Sequence, residues 1–252
     1  MDTIFFPTHL AVGFYVLTAV TGLVFWWLFT GAGQDSREAL FPGRSLRAGL
    51  LMGGWYVLAL FMAGRGLLTP GGGLPLLPLA VVLPVVIGTA LLWRPASRRR
   101  VDAVSPALWA GVHGLRIPFG VMFLALYEME AIPGDFAFRG GYGDITAGLL
   151  GLLSAWLLTR KTRSALTPVT LAVFSLVGLG DFALVLYTGL TLLDPAAPFA
   201  AFHPFQMVPA FVVPLFILAH IIVLRRVVWG GVQASQPKEA LNGQAHPVPA
   251  RP

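Results

Sequence analysis

Pro106-Ala-Leu-Trp-Ala-Gly-Val-His113-Gly-Leu-Arg116-Ile-Pro-Phe-Gly120-Val-Met-Phe-Leu-Ala-Leu-Tyr127 is the stretch that decides the fold. Apart from His113 and Arg116 it is apolar or small, and it is long enough as a helix to cross a hydrocarbon core of about 30 Å, which takes about 20 residues. A second such run, Ala165–Leu192, carries Asp181 in the same way. A charge at the centre of a membrane helix costs roughly 2.5–3.5 kcal/mol, so a chain that keeps two has paired them or uses them.

Working outward, the composition agrees. Of 252 residues 56 % are hydrophobic and only 11 % charged, against roughly 25 % charged for ordinary globular chains. The net charge of +6 sits in short clusters between apolar runs, with no nucleic-acid motif beside them, so the expected partner is membrane lipid and not nucleic acid. There is no cysteine, which excludes disulfides, thiolate metal sites, haem attachment through C-x-x-C-H and cysteine nucleophiles. Met1-Asp2-Thr3 brings no Lys or Arg ahead of the first apolar run; a secretory signal needs a positive segment there, so that run reads as a retained helix.

Windows of about 20 apolar residues predict seven spans, near Ile4–Thr30, Leu46–Leu68, Leu76–Trp93, Pro106–Tyr127, Asp144–Thr159, Ala165–Leu192 and Phe205–Val228. The connections alternate in charge. Arg37, Arg44 and Arg47, then Arg94 to Arg100, then Arg160, Lys161 and Arg163, then Arg225 and Arg226 fall on one side. The stretch between Thr69 and Leu74 is uncharged, that around Glu128 is acid-rich with one Arg139, and Asp194 is the only charge before Pro204. The positive-inside rule then puts the N-terminus outside and the C-terminus in the cytoplasm, as an odd number of spans requires, and the location is the inner (plasma) membrane. Residues 1–229 form the transmembrane domain. Residues 230–252, rich in Pro, Gln and Ala without apolar periodicity, read as a disordered cytoplasmic tail. No internal repeat is evident, and nothing in the sequence sets an oligomeric state.

Helical spacing assigns the polar groups to faces. His113, Arg116, Gly120 and Tyr127 share one stripe of the fourth span; Gly178, Asp181 and Thr188 share one of the sixth; Gln206, Val213 and His220 share one of the seventh. Rises of 1.5 Å per residue put Arg116 about 15 Å and Asp181 about 24 Å from the cytoplasmic ends, so direct contact calls for helix tilt or a bridging group. On the fifth span Gly143, Ala147, Gly151 and Ala155 recur at every fourth position, a stripe that lets a neighbouring backbone come close; Gly49 and Gly53 repeat it on the second. Pro209 and Pro214 leave the carbonyls of Phe205 and Ala210 without their helical donors. The connection from Glu128 to Asp144 gathers Glu128, Glu130, Asp135, Arg139 and Asp144 among glycines, and Asp144 is placed to cap the fifth helix or to meet a cation or substrate.

Taken together, His113-Gly-Leu-Arg116-Ile-Pro-Phe-Gly120-Val-Met-Phe123, Ile132-Pro133-Gly-Asp-Phe136-Ala137, Gly141-Tyr-Gly143-Asp144, Gly178-Leu-Gly-Asp181 and Pro209-Ala-Phe-Val-Val-Pro214 resemble a family of uncharacterised bacterial multi-pass membrane proteins. Its pattern is an R-x-x-G-x-x-F run, here with one more residue between Arg116 and Gly120, then L-P-x-x-F-A, here with Ile132 for Leu, a G-x-G-D turn, an acid in the sixth span and a P-x-F-x-V-P closing helix. The family has Asn ahead of the sixth-span acid, near Ser175 here. The resemblance implies the multi-pass architecture and selects these polar residues; it implies no activity.

No G-x-S-x-G, H-E-x-x-H, Asp-rich prenyl-diphosphate or Walker A pattern is present, and the two lysines, Lys161 and Lys238, are outside the last span, which excludes a retinal Schiff base. The sequence therefore predicts an all-α bundle of seven transmembrane helices with a polar cavity between helices four to seven that opens outward. The leading function is binding or translocation of a small molecule or ion, with Arg116 and Asp181 at the centre, His113 and His220 nearby, and Glu128, Asp144 and His203 at the mouth. The alternative is a membrane-embedded enzyme or b-type haem protein acting on a lipid-soluble substrate, in which His113 with His220 and His9 with His203 are the axial pairs. A sensor passing an outer signal to the tail is a third reading. No catalytic residue and no metal site is assigned.

Overall fold

The computed structural model describes residues 8–30, 42–68, 76–160, 166–191 and 203–229. All the regular structure among them is helical. Seven helices are long and apolar enough to cross a membrane: Thr8–Thr30, Leu46–Gly64, Leu76–Trp93, Pro106–Glu128, Gly134–Thr159, Thr167–Thr191 and Pro204–Arg226. Large aliphatic side chains stand on the outside of this bundle, Leu176 at 72 % and Leu51 at 71 % exposure. An aqueous surface does not carry such a density of bare leucine and valine; a hydrocarbon one does.

The seventh span is the hub. It is buried over 78 % of its apolar window, whereas the second and third spans are buried over 11 % of theirs. The inward stripe expected of Gln206, Val213 and His220 is present, but the helix is covered on nearly every side. Around it the first span brings Phe14 against Phe119, Phe123 and Phe205, and Phe25 edge-on to Phe216 at 5.4 Å. Buried Thr18 and Thr21 of that span satisfy their hydroxyls on their own helix, donating to the carbonyls of Tyr15 and Leu17, the usual solution where no water is available.

Prolines shape three spans. Pro118 has no N–H for the carbonyl of Gly114, and the turn just before it, Val112–Leu115, winds as a 3-10 helix between α-helical Pro106–Gly111 and Arg116–Glu128. In the seventh span Pro209 falls inside a π-helical segment, Val208–Val212, closed by the Val213 N–H donating to the Val208 carbonyl. The donor that Pro209 removes is thus accommodated in a π-turn. Pro84 lies inside the third span.

Between the third and fourth spans a short helix, Pro95–Ala103, carries Arg98, Arg99 and Arg100. Asp102 accepts from Arg225 and pairs with Arg226 at 3.6 Å, which ties this helix to the end of the seventh span. Ser105 then starts the fourth span, its hydroxyl accepting from the Ala107 N–H at 3.2 Å with Pro106 in the first turn.

The fifth span departs from the expectation. It begins at Gly134 and not at Asp144, with Pro133 at the cap position. Gly140, Gly141 and Gly143 of the expected connection are helical, and a Cβ on Gly141 would come within 3.1 Å of the Gly120 carbonyl. A Cβ on Gly120 would run into the Gly141 carbonyl, one on Gly148 would come within 3.1 Å of the His113 carbonyl, and one on Gly151 within 2.7 Å of the Ala110 carbonyl. The fourth and fifth helices therefore touch through their backbones, and that contact outweighs glycine's preference for turns. The expected stripe of Gly143, Ala147, Gly151 and Ala155 divides between two neighbours, because Gly143 faces the sixth span. Of the second pair, Gly49 packs on Trp26 while Gly53 faces open space. The acidic connection shrinks to a tight turn in which Glu130 takes a left-handed conformation, φ 56°, and the Ala131 N–H reaches back to the Leu126 carbonyl. This is the bonding that closes a helix with a left-handed residue after its last turn. The sequence-predicted tail, 230–252, and the basic Lys161 and Arg163 lie outside the described residues.

Candidate functional site

Arg116 is 1 % exposed, and its guanidinium is engaged on every side. Its Nε donates to Asp144 Oδ1 at 2.7 Å, Nη2 donates to the Asp181 carboxylate, and Nη1 donates to the Gly178 carbonyl at 3.4 Å. The ring of Phe182 lies 4.0 Å beneath its central carbon, close enough for the ring quadrupole to attract the cation. The pairing of Arg116 with Asp181 is direct, with no bridging group. Part of the depth mismatch closes through the looser rise of the 3-10 turn ahead of Arg116, and its long side chain covers more.

Asp144 is not the cap of the fifth helix. It sits ten residues inside Gly134–Thr159, buried, as the second carboxylate on Arg116. Two small residues make the arrangement fit. A Cβ on Gly143 would occupy the place of the Asp181 carboxylate, and one on Gly178 would collide with the His220 ring and come within 3.1 Å of Arg116 Nη1. The G-x-G-D and G-x-G-D-like spacings at Gly141–Asp144 and Gly178–Asp181 thus pair each acid with the glycine that makes room for its neighbour.

Beside this cluster lies a cavity of about 70 Å³. Its walls are mostly apolar, with Phe119, Phe123, Phe136, Phe205 and Phe216 among them, and its polar members are Asp144, Asp181 and Gln206. Arg116 is not on the wall. The cavity faces the two carboxylates, and the guanidinium stands behind them. Leu68, Leu77, Gly189 and Phe205 place the space in the half of the bundle away from Asp102, Arg225 and Arg226.

On the other side of Arg116, His113 and His220 are both fully buried, with ring centroids 4.0 Å apart. Phe174 and Phe216 pack against them. None of the four ring nitrogens has a hydrogen-bond partner among the described residues. A haem held by this pair would have to lie between the two imidazoles, and rings in direct contact leave it no room, so the pair does not fit that role. His9 of the second suggested pair is exposed on the first span, and the side chain of His203 lies outside the described residues. No group of three or more metal-ligating side chains occurs among the described residues.

The remaining expected site residues do not join. Glu128 is exposed, as are Glu130 and Asp135, and Tyr127 points out of the bundle at 37 % exposure, breaking the stripe expected from His113 to Tyr127. Thr188 is buried where expected and accepts from Arg139 Nη1 at 3.2 Å. Sequence reasoning missed the aromatic wall and Gln206 as a member of it. The only sequence signal for that wall was the density of Phe in the fourth to seventh spans.

Residues 74–228 match the model of a domain of unknown function, DUF8737. That is 155 of 252 residues, more than half, so the chain belongs to this family. The matched segment runs from the third span through the seventh and contains Arg116, Asp144, Asp181, His113 and His220. No curated protein and no solved structure matches the chain.

Proposed function

We propose that this protein binds a small molecule or ion in the cavity between its fourth to seventh spans and carries it across the membrane. One observation supports the reading above others: both carboxylates that hold Arg116 also stand on the wall of a cavity that is otherwise largely apolar. A buried charge that serves only to fix helix register is best sealed by packing, since exposing it to a dry space adds desolvation without a partner. A concave apolar site with a few convergent polar groups is the usual form of a small-molecule site. Orientation follows the charge bias of the connections, with the N-terminus outside, the C-terminus in the cytoplasm and the plasma (inner) membrane as the location. The cavity then lies in the outer half.

Thermal unfolding of the purified chain in detergent tests the reading, with methyl- to butylammonium salts and the matching carboxylates as probes. A ligand at a hundred times its Kd stabilises the folded state by about 2.7 kcal/mol. The expected result is a dose-dependent rise with ammonium probes that is absent in Asp181→Asn. A series in which neither set raises stability, or in which Asp181→Asn responds like the unaltered chain, overturns it.

A further inference from the structure

Around Arg116 the charges do not balance. With both carboxylates ionised, Asp144 and Asp181 contribute two negative charges against the one guanidinium they hold. The other elements packed on this cluster bring no further charge among the described residues. The first span presents Phe25, the third meets the seventh through Gly88 and Leu218, and Arg139 of the fifth turns to Thr188 and is off the cavity wall. One uncompensated negative charge is therefore left in a medium where net charge is expensive. One added positive charge brings the cluster to neutrality, and a second would unbalance it again.

The side from which that charge can arrive is set by the wall. The two carboxylates are the charged groups on the wall among the described residues, so a cation entering there meets attraction with the guanidinium screened behind. The opposite side of the cluster is closed by His220, whose Nε2 crowds the same Gly178 whose carbonyl Arg116 holds. Buried imidazoles in a purely packing role donate to a carbonyl or hydroxyl; these two have all four nitrogens unpartnered among the described residues. The string continues toward the Arg225 end. Ser175 precedes Gly178 by three residues, Ser154 follows Gly151 by three, and both hydroxyls are buried without a partner.

We propose that the cluster holds one exchangeable positive charge, either a monovalent cation in the cavity or a proton on a carboxylate, and that the His113–His220 pair relays the proton the cation displaces away from the cavity. This rests on the cavity being a binding site and deepens that reading to proton-coupled exchange of a small organic ammonium ion. The balance is simple: a carboxylic acid on Asp181 or Asp144 loses its proton, one imidazole nitrogen of the pair takes it up while another gives one up toward the Arg225 end, and the carboxylate left behind pairs with the incoming ammonium, so the cluster stays neutral. No bond other than O–H and N–H is broken or made.

Calorimetry of butylammonium binding to the full chain, repeated in buffers of different ionisation enthalpy near neutral pH, counts the protons that leave the protein. Proteoliposomes with a trapped pH dye, given an outward butylammonium gradient, report whether those protons cross. The expected results are about one proton released per cation bound and a gradient-driven pH change that disappears in the double variant His113→Phe, His220→Phe while that variant still binds butylammonium. Binding with no proton release overturns the exchange and leaves the cavity reading standing. Failure to bind overturns both. If the double variant folds and still couples like the unaltered chain, the histidine assignment is wrong; if it does not fold, His113→Gln with His220→Gln, which keep a hydrogen-bonding group at each position, stand in for it.

Discussion

Removing Arg116 and removing one of its partners should have very different consequences, because the cluster has two carboxylates for one guanidinium. Arg116→Leu leaves Asp144 and Asp181 buried together with no cation. Breaking a buried pair in this way costs about 3–5 kcal/mol, which is about two to three and a half orders of magnitude in the folded-to-unfolded ratio. Asp181→Asn or Asp144→Asn instead leaves a one-to-one pair, and the amide oxygen still accepts from the guanidinium; the loss is that of weakening one charged hydrogen bond, about 1–3 kcal/mol. The double change Arg116→Leu with Asp181→Leu does not restore stability, because Asp144 is left as a lone buried carboxylate. Only the triple change to Leu at positions 116, 144 and 181 removes every charge, and it should recover most of what Arg116→Leu loses. Unfolding in detergent followed by tryptophan fluorescence gives the order. If Arg116→Leu is no worse than Asp181→Asn, or the Arg116/Asp181 double recovers as fully as the triple, the three-residue cluster is wrong.

Gly143→Ala should destabilise the chain by about 1–3 kcal/mol, since its Cβ falls on the Asp181 carboxylate, whereas Gly53→Ala, with nothing within 4 Å, should be neutral or slightly stabilising; equal melting shifts would contradict this. Pro209→Ala returns an N–H to the seventh span, so the π-turn Val208–Val212 should relax to an ordinary α-helix and its amides exchange more slowly with deuterium; unchanged exchange would mean that packing, not proline, imposes the turn. A reporter fused after Gln236 should read as cytoplasmic and one inserted near Gly72 as periplasmic, and a tail reporter active only outside would reverse the orientation.

The spans were legible because hydrophobicity over about 20 residues is a one-dimensional signal. Arg116 and Asp181 were legible as a pair because a lone charge in a membrane helix needs a partner. Asp144 was misplaced for a physical reason: it follows Gly140, Gly141 and Gly143, and local propensity reads such a run as a turn. Its helicity comes from the close approach of the fourth span, through Gly120 and the backbone around Ala110 and His113, which no local rule contains. The same limit applies to His113 and His220. Both were readable as inward-facing; their contact at 4.0 Å depends on how two helices far apart in the chain rotate about their axes. Tyr127 leaves the stripe that helical spacing assigns it because its ring packs on Phe138 at 4.6 Å.

That water reaches the cavity walled by Asp144 and Asp181 can be tested with single cysteines, because the chain has none of its own. Single cysteines at Val185, Gly189 and Val213 on the cavity wall, and at Leu176 and Leu184 on the outer face of the sixth span, can be exposed to an aminoethyl methanethiosulfonate and to its sulfonatoethyl counterpart. A water-reachable, negatively charged wall requires that the cavity positions react and the outer positions do not, that the cationic reagent reacts faster at the cavity positions, and that this preference is lost when Asp144→Asn and Asp181→Asn are added. Cavity cysteines as inert as Leu176→Cys, or a preference for the anionic reagent, would contradict it.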